Sequence, residues 1–275
     1  MHPHISDLYS LAQKPSRLII GLMSGTSLDG LDVALCHIKD TGLATQIELL
    51  DFETVPYDQY YRDQIRAVFS KRQVDLETVC LLNNWVGEQH AKMIQQCLDQ
   101  WKRPASSIDL IASHGQTIYH APQSAHQHPG FSNATLQIGD GDHIAYRTGI
   151  TTISDFRQKH IAAGGEGAPL AVYGDYLIFS SQQENRILLN LGGIANFTYL
   201  PKSMDTTQVL STDVGTGNTM MDAFVQHHFP GQHYDANAEL ARRGQVDHDL
   251  LAALKAHVFF SQALPKTTGP ELFNL

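Results

Sequence analysis

The amino-acid sequence predicts an α/β protein of two similar domains, and three observations carry that reading. Residues 18–39, LIIGLMSGTSLDGLDVALCHIK, form an apolar run, a polar glycine-punctuated turn and a second alternating run in which Asp32 falls on the polar side. Residues 186–200, RILLNLGGIANFTYL, repeat that layout around Gly192 and Gly193; a short strand over 208–213 then leads into GTGNTMMDAFVQHHF, which has helical spacing. At 275 residues with 42% hydrophobic content, the chain can also form two cores of ordinary size. Duplicated units of this kind predict two domains facing each other across a cleft, each offering a glycine turn to the same ligand.

Taken in order, MHPHISDLYSLAQKPS has neither a basic n-region nor a sustained apolar stretch, so residues 1–16 read as a polar appendage and not as a secretion signal. After the first hairpin, IELLDFETVPY reads as a third strand, and residues 58–70 and 75–101 as helices. Asp75 is the expected N-cap of the second helix, with Leu76, Val79, Leu82, Val86, Met93, Cys97 and Trp101 on its core stripe. A buried strand over Ile108–Ser113 should deliver His114-Gly115-Gln116-Thr117 at its carboxyl end, the edge where open α/β sheets place ligand loops. APQSAHQHPGFSNA reads as a surface loop, TLQIGDGDHIAYRTG as strand, turn and helix, and ITTISD as a further strand. Pro169 fits the first turn of a helix running to about residue 179, and SSQQEN marks the expected boundary between domains at 17–183 and 184–275. Beyond Asp213, YDANAELARRG and DHDLLAALKAHVFF each carry an apolar stripe and read as helices.

Net charge is −9 and the 19 basic residues are scattered, which argues against a nucleic-acid face or a membrane surface, so an anionic ligand would have to be held locally. No apolar run approaches the roughly 20 residues needed to cross a bilayer. Three cysteines without C-x-x-C spacing point to a reducing, cytoplasmic setting. His126, His128, His227, His228 and His233 lack carboxylate or cysteine neighbours at ligand spacing and read as solvated loop histidines.

The first turn, Ser24-Gly25-Thr26-Ser27-Leu28-Asp29-Gly30, offers open backbone N–H groups, three hydroxyls and one carboxylate, equipment for nucleotide phosphates and Mg²⁺. It holds no lysine and joins two strands, so a Walker loop of the form G-x-x-x-x-G-K-S/T opening a helix is disfavoured. An ordinary glycine hairpin stays open as the alternative.

In order, the chain carries GLMSGTSLDGLDVAL, ASHGQTIYHAP, TLQIGDGDHIA, SDFR, AAGGEGAPL, LNLGGIANFTYL, DVGTGNTMMDAF, YDANAELARRG and PKTTGPELFNL. In these motifs it resembles, nearly end to end, the anhydro-N-acetylmuramic acid kinase family of bacterial sugar kinases, in the actin and hexokinase superfamily. The resemblance implies two actin-like (ribonuclease H-like) α/β domains around a central nucleotide and sugar cleft. It also implies ATP-dependent opening of a 1,6-anhydro sugar to the 6-phosphate, in peptidoglycan recycling. A homodimer is open as the assembly.

By the same resemblance Asp213 is the base that activates water, with a helix N-cap as its alternative role. Phosphates would meet Ser24, Gly25, Thr26, Ser27, Leu28, Asp29, Gly30, Leu31 and Asp32, together with Gly192, Gly193 and Asn196. Asp29 is the expected Mg²⁺-side carboxylate, through water, with Asp32 as second candidate. The sugar would meet His114, Gln116 and Thr117, and Arg157 or Lys159 would pair its lactyl carboxylate, unless Arg157 serves an ion pair between loops. The chain departs from the family pattern at Gln158-Lys159-His160, at Glu166, and at Thr216, where proline is usual and the change should loosen the turn aiming Asp213. Family members continue with a glycine-rich adenosine-binding segment. The second domain is therefore expected to be incomplete, with Leu251, Leu254, Val258 and Phe259 short of packing partners and this length inactive. A non-catalytic nucleotide- or sugar-binding protein on the same fold, or a truncated inactive form, is the alternative reading.

Overall fold

The computed structural model describes residues 3–266 and residue 268; the remainder of the PKTTGPELFNL motif, Thr267 and residues 269–275, lies outside the described residues. The chain divides into two units, Met1–Leu170 and Ala171–Leu275.

The first unit contains α1 (Pro3–Gln13), β1 (Ser16–Ser24), β2 (Gly30–Lys39), β3 (Gln46–Pro56), α2 (Gln59–Val68), α3 (Leu76–Gln100), β4 (Leu110–Ala121), α4 (Gln123–His126), β5 (Ala134–Ile138), α5 (Gly141–Thr148), β6 (Thr152–Ser154) and α6 (Phe156–Ala162). Its sheet runs β3-β2-β1-β4-β5, with β6 also pairing β4. β1, β2 and β3 are antiparallel neighbours, whereas β1 and β6 run parallel to β4, so the ends of β1, β4 and β6 share one sheet edge. Strand alternation sends Ile20 and Leu22 of β1 and Leu31, Val33 and Leu35 of β2 into the core, where they join Leu82, Val86, Ile94 and Leu98 of α3. Full burial of each such side chain stabilises the fold by about 1.5–3 kcal/mol. Capping fixes where the helices begin. Asp75 accepts from the N–H (2.9 Å) and hydroxyl (2.8 Å) of Thr78, and Asp58 caps α2 through the N–H of Tyr61.

Four expectations for this unit change. Leu76, placed on the core stripe of α3, lies in its first turn and is 78% exposed. The polar appendage contains a helix, α1, tied to β1 because Arg17 donates to the carbonyls of Leu11 and Ala12. A helix forms over Phe156–Ala162, where no periodic apolar signal was read. Finally, β4 does not end before His114-Gly115-Gln116-Thr117 but runs through it. Its first part, Ile111–Ser113, pairs with β6, and Gln116–Ala121 pairs with β5. The change of partner occurs at Gly115, whose φ is +72° and where a Cβ would lie 2.6 Å from the Ile138 carbonyl oxygen.

The second unit contains α7 (Ala171–Phe179), β7 (Arg186–Leu191), β8 (Ile194–Leu200), β9 (Leu210–Thr216), α8 (Thr219–His228) and α9 (His248–Lys255), with β7-β8-β9 as an antiparallel sheet. The break between units falls before α7 and not in SSQQEN. α7 is tied to its own unit by Tyr176, which donates to the Met204 carbonyl, and by Asp175, which accepts from Thr198. Pro169 precedes this helix and is not in its first turn. YDANAELARRG forms short 3₁₀ turns in place of a helix, because Asp235 accepts from the N–H groups of Leu240 and Ala241 and folds the segment back on itself. Phe259 is buried, whereas Leu251, Leu254 and Val258 are exposed. Among the described residues, no helix is long and apolar enough to cross a membrane.

Candidate functional site

In the first unit, the turn between β1 and β2 is held from within. Leu28 adopts a left-handed backbone (φ +57°) that folds its side chain into the core, and Leu31 is likewise fully buried. Of these two residues, only backbone groups are left for a ligand. Thr26, Ser27 and Asp29 are exposed. Asp29 Oδ1 accepts from Ser27 Oγ (2.7 Å) and from the Gly30 N–H (3.1 Å). Gly30 permits close passage of β3, since a Cβ there would lie 2.6 Å from the Val55 carbonyl oxygen. Asp32 Oδ1 accepts from Thr54 Oγ1 at 2.6 Å.

The ASHGQT motif contributes differently from the expectation. Gln116 is fully buried; its Oε1 accepts from Ser24 and its Nε2 donates to the carbonyls of Thr117 and Gly25. It is a strut between β1 and β4 with no surface for a sugar. His114 is the residue that reaches the cavity. Arg157 Nε donates to its Nε2 at 2.8 Å, so Nδ1 carries the proton and donates to the Gly115 carbonyl. Burial, followed by the Arg157 charge, depresses the His114 pKa and keeps the ring neutral. Arg157 also donates through Nη1 to the Gly167 carbonyl, which locks the SDFR and GEGAPL segments onto β4. The guanidinium is first of all an internal clamp. Thr117 Oγ1 accepts from Gln137, and Lys159 is exposed on α6.

A cavity of about 240 Å³ opens at this edge, lined among others by Asn83, His114, Gln137, Asp140, Ser154 and Asp155. Sequence reasoning did not single out Asn83, Gln137 or Asp155. Asp155 has a left-handed backbone (φ +62°), and burial raises its pKa. Its signal was present in the S-D-F-R motif directly after a strand. A second cavity, of about 520 Å³, is lined by Val68, Lys71, Val79, Ile118 and His126 among others and contains none of the predicted site residues.

In the second unit, Asp213 lies within β9, which continues through Thr216, so it is neither a strand end nor the cap of α8; Asn218 takes the cap position. Asn196 on β8 is its cross-strand neighbour and shares its face. Two contacts from the later chain hold Asp213: its N–H donates to the Lys266 carbonyl (2.9 Å), and Oδ2 accepts from the Thr268 N–H (2.8 Å). Burial raises the Asp213 pKa, and the Thr268 bond partly offsets that rise. The Gly192-Gly193 turn is packed against the start of α8, because the Gly193 carbonyl accepts from the N–H groups of Gly217 and Thr219 and from the Thr219 hydroxyl. This approach demands glycine at 217, where a Cβ would sit 2.1 Å from the Gly192 carbonyl oxygen. Thr216 does not break the strand, although among the described residues its buried hydroxyl has no partner.

Comparison with protein families matches residues 17–275 to anhydro-N-acetylmuramic acid kinase. Relatives of that description are 63% identical over all 275 residues in Pseudoalteromonas atlantica and 62% identical over the same span in Pseudoalteromonas translucida, with 69% of each relative covered. One from Caldanaerobacter subterraneus is 42% identical over 268 residues, 97% of this chain and 68% of the relative. The chain thus spans about 69% of the length of its first two relatives, and it belongs to the anhydro-N-acetylmuramic acid kinase family.

Proposed function

We propose that this protein, tested at the full length of its relatives, opens the 1,6-anhydro bridge of anhydro-N-acetylmuramic acid with water and transfers the γ-phosphoryl group of ATP to O6. The product is N-acetylmuramic acid 6-phosphate, made for cell-wall recycling in the cytoplasm. The observation that carries the reading is Asp213, a half-buried carboxylate of raised pKa aimed by a backbone N–H. Such a group accepts a proton from water near neutral pH better than an exposed aspartate does. In the balanced step, a water oxygen bonds to C1 as the bond from C1 to the bridge oxygen breaks. The water proton passes to Asp213, and the bridge oxygen, kept on C6, takes the phosphoryl group as ADP leaves. Capture by phosphorus relieves the leaving oxygen of the need for a separate acid, so one carboxylate serves where an inverting glycosidase uses two.

We assign the phosphates to the N–H groups and hydroxyls of the 24–30 turn, and to Gly192, Gly193 and Asn196. The oxygen donors of Asp29 and Asp32 suit a hard cation, since among the described residues the hydrogen bonds to each fall on Oδ1. Mg²⁺ there would neutralise charge on the transferring phosphoryl group. His114 with Asp155, Gln137 and Thr117 is assigned to the sugar; His114, held neutral, presents no charge to repel or trap it. The test is reaction in ¹⁸O-water with mass spectrometry of the sugar phosphate. One labelled oxygen at C1 is expected. Product without that label, or no phosphorylated sugar, overturns the coupled mechanism.

A further inference from the structure

A line of buried polar side chains runs beneath the turn assigned to phosphates. Ser24 Oγ lies 2.5 Å from Gln116 Oε1 and 2.7 Å from the Tyr57 hydroxyl, which is 3.2 Å from His90 Nε2. The direction of these bonds follows from valence. Gln116 uses its NH₂ on two carbonyls, so Oε1 faces Ser24 as an acceptor. Ser24 therefore donates its proton to Gln116 and accepts from Tyr57. With its own proton spent, the Tyr57 oxygen needs a donor; His90 Nε2, which lies 3.2 Å from both the Tyr57 and the Tyr61 hydroxyls, supplies it when the ring proton sits on Nε2. The other His90 nitrogen, buried and without a partner among the described residues, is left as a bare lone pair, which costs less than an orphaned N–H. His90 is fully buried, and burial above all pulls its pKa down to about 4, so it is neutral. One proton direction runs through the line, from His90 to Tyr57 to Ser24 to Gln116.

Tyr57 also acts at the other end of the turn. Its main-chain N–H donates to the Asp29 carbonyl at 3.1 Å. Its ring is stacked on Tyr61, with centroids 3.8 Å apart and planes 12° from parallel, so the hydroxyl has little room to move. A single residue thus grips Ser24 before the turn and Asp29 after it, while being only 2% exposed and out of reach of any ligand.

We infer that Tyr57 is a positioning residue for phosphoryl transfer: it fixes the separation of the two ends of the phosphate turn, and His90 fixes Tyr57 as the donor. The inference rests on assigning residues 24–30 to phosphates. Neither residue touches nucleotide or sugar. Their effect passes through Ser24 and Asp29 to the N–H groups between them, where a displacement on the order of 1 Å can cost about 10²-fold in rate.

The test uses Tyr57→Phe, which keeps the ring stack and the main-chain N–H and deletes only the hydroxyl. Kinetics are read well below the melting transition of both proteins. The KM for ATP should rise and kcat should fall, each at least about threefold, while the KM for the sugar stays unchanged. A lower melting temperature with unaltered kcat and KM would make Tyr57 merely structural and overturn the inference, as would an equal rise in both KM values. Ser24→Ala removes the other half of the same bond, so the double variant should be no worse than the worse single one; additive losses count against the link. Nitrogen-15 NMR should find His90 neutral with its proton on Nε2, and the opposite tautomer reverses the chain and defeats the argument. Titration of the wild-type protein with ATP separates the two levels. If the amides of residues 25–30 do not respond, the phosphate assignment fails and takes this inference with it; if they respond and Tyr57→Phe behaves as wild type, only this inference fails.

Discussion

Asp213 owes its raised pKa to burial, and the N–H of Thr268 pulls in the opposite direction without cancelling it. Asp213→Asn keeps the shape and can still accept from Thr268, but cannot take a proton from water. Steady-state kinetics should show turnover lower by about 10²-fold or more, with ATP affinity nearly intact by calorimetry. A loss of only a few-fold would leave the carboxylate a structural ligand of Thr268. In the wild type, the acid limb of kcat/KM should have its midpoint above the ordinary aspartate value of about 3.9, because a raised pKa means that the base is protonated sooner as pH falls. At this scale the sequence was informative about residue type and poor about direction. Gln116 and His114 are adjacent in one polar motif, yet a partner change in β4 at Gly115 turns the first into the core and the second toward the cavity. Asp155 escaped notice because its left-handed backbone is imposed by the surrounding fold and not announced by the local residues.

The two glycine turns illustrate what a local pattern does and does not specify. Both hairpins were legible from strand alternation and glycine position, since these depend on neighbours within a few residues. The contact of the Gly192-Gly193 turn with the start of α8 was not, because it is a tertiary approach that only the missing Cβ of Gly217 reveals. Gly217→Ala should destabilise the protein by about 1–3 kcal/mol, as overpacking does, read by denaturant unfolding. Gly21→Ala is the matched control: no atom lies within 4 Å of its added Cβ, and its effect should be neutral or mildly stabilising. Equal losses in both variants would remove the steric explanation. The helices followed the same division. Asp75 and the apolar stripe of α3 announced that helix, whereas the stripe in YDANAELARRG was overridden by the Asp235 carboxylate, which bonds the backbone first.

For the molecule as a whole, two buried imidazoles set a limit in acid. His90 and His114 are both held neutral, with folded pKa values below that of an exposed histidine. Between the two values the unfolded chain binds more protons than the folded one, so stability rises with pH there. Their contribution should be intact above about pH 6.5, the ordinary histidine value, and should fall as pH drops toward about 4, the folded value for His90. Urea midpoints measured across that range check the sign, and His90→Gln should flatten part of the slope. The α/β class and the order of elements could be read in advance because they follow from strand and helix periodicity. The boundary before α7 could not, since Tyr176 and Asp175 choose their unit through contacts with Met204 and Thr198. The tie between Asp213 and Thr268 also has a bearing on biosynthesis. The carboxylate is set by an amide 55 residues further along, so a nascent chain emerging from the ribosome completes β9 long before the Asp213 side chain is aimed. On the role proposed for Asp213, competence to activate water is acquired only once Thr268 has emerged, and a molecule that had captured nucleotide before then would have no oriented carboxylate with which to spend it.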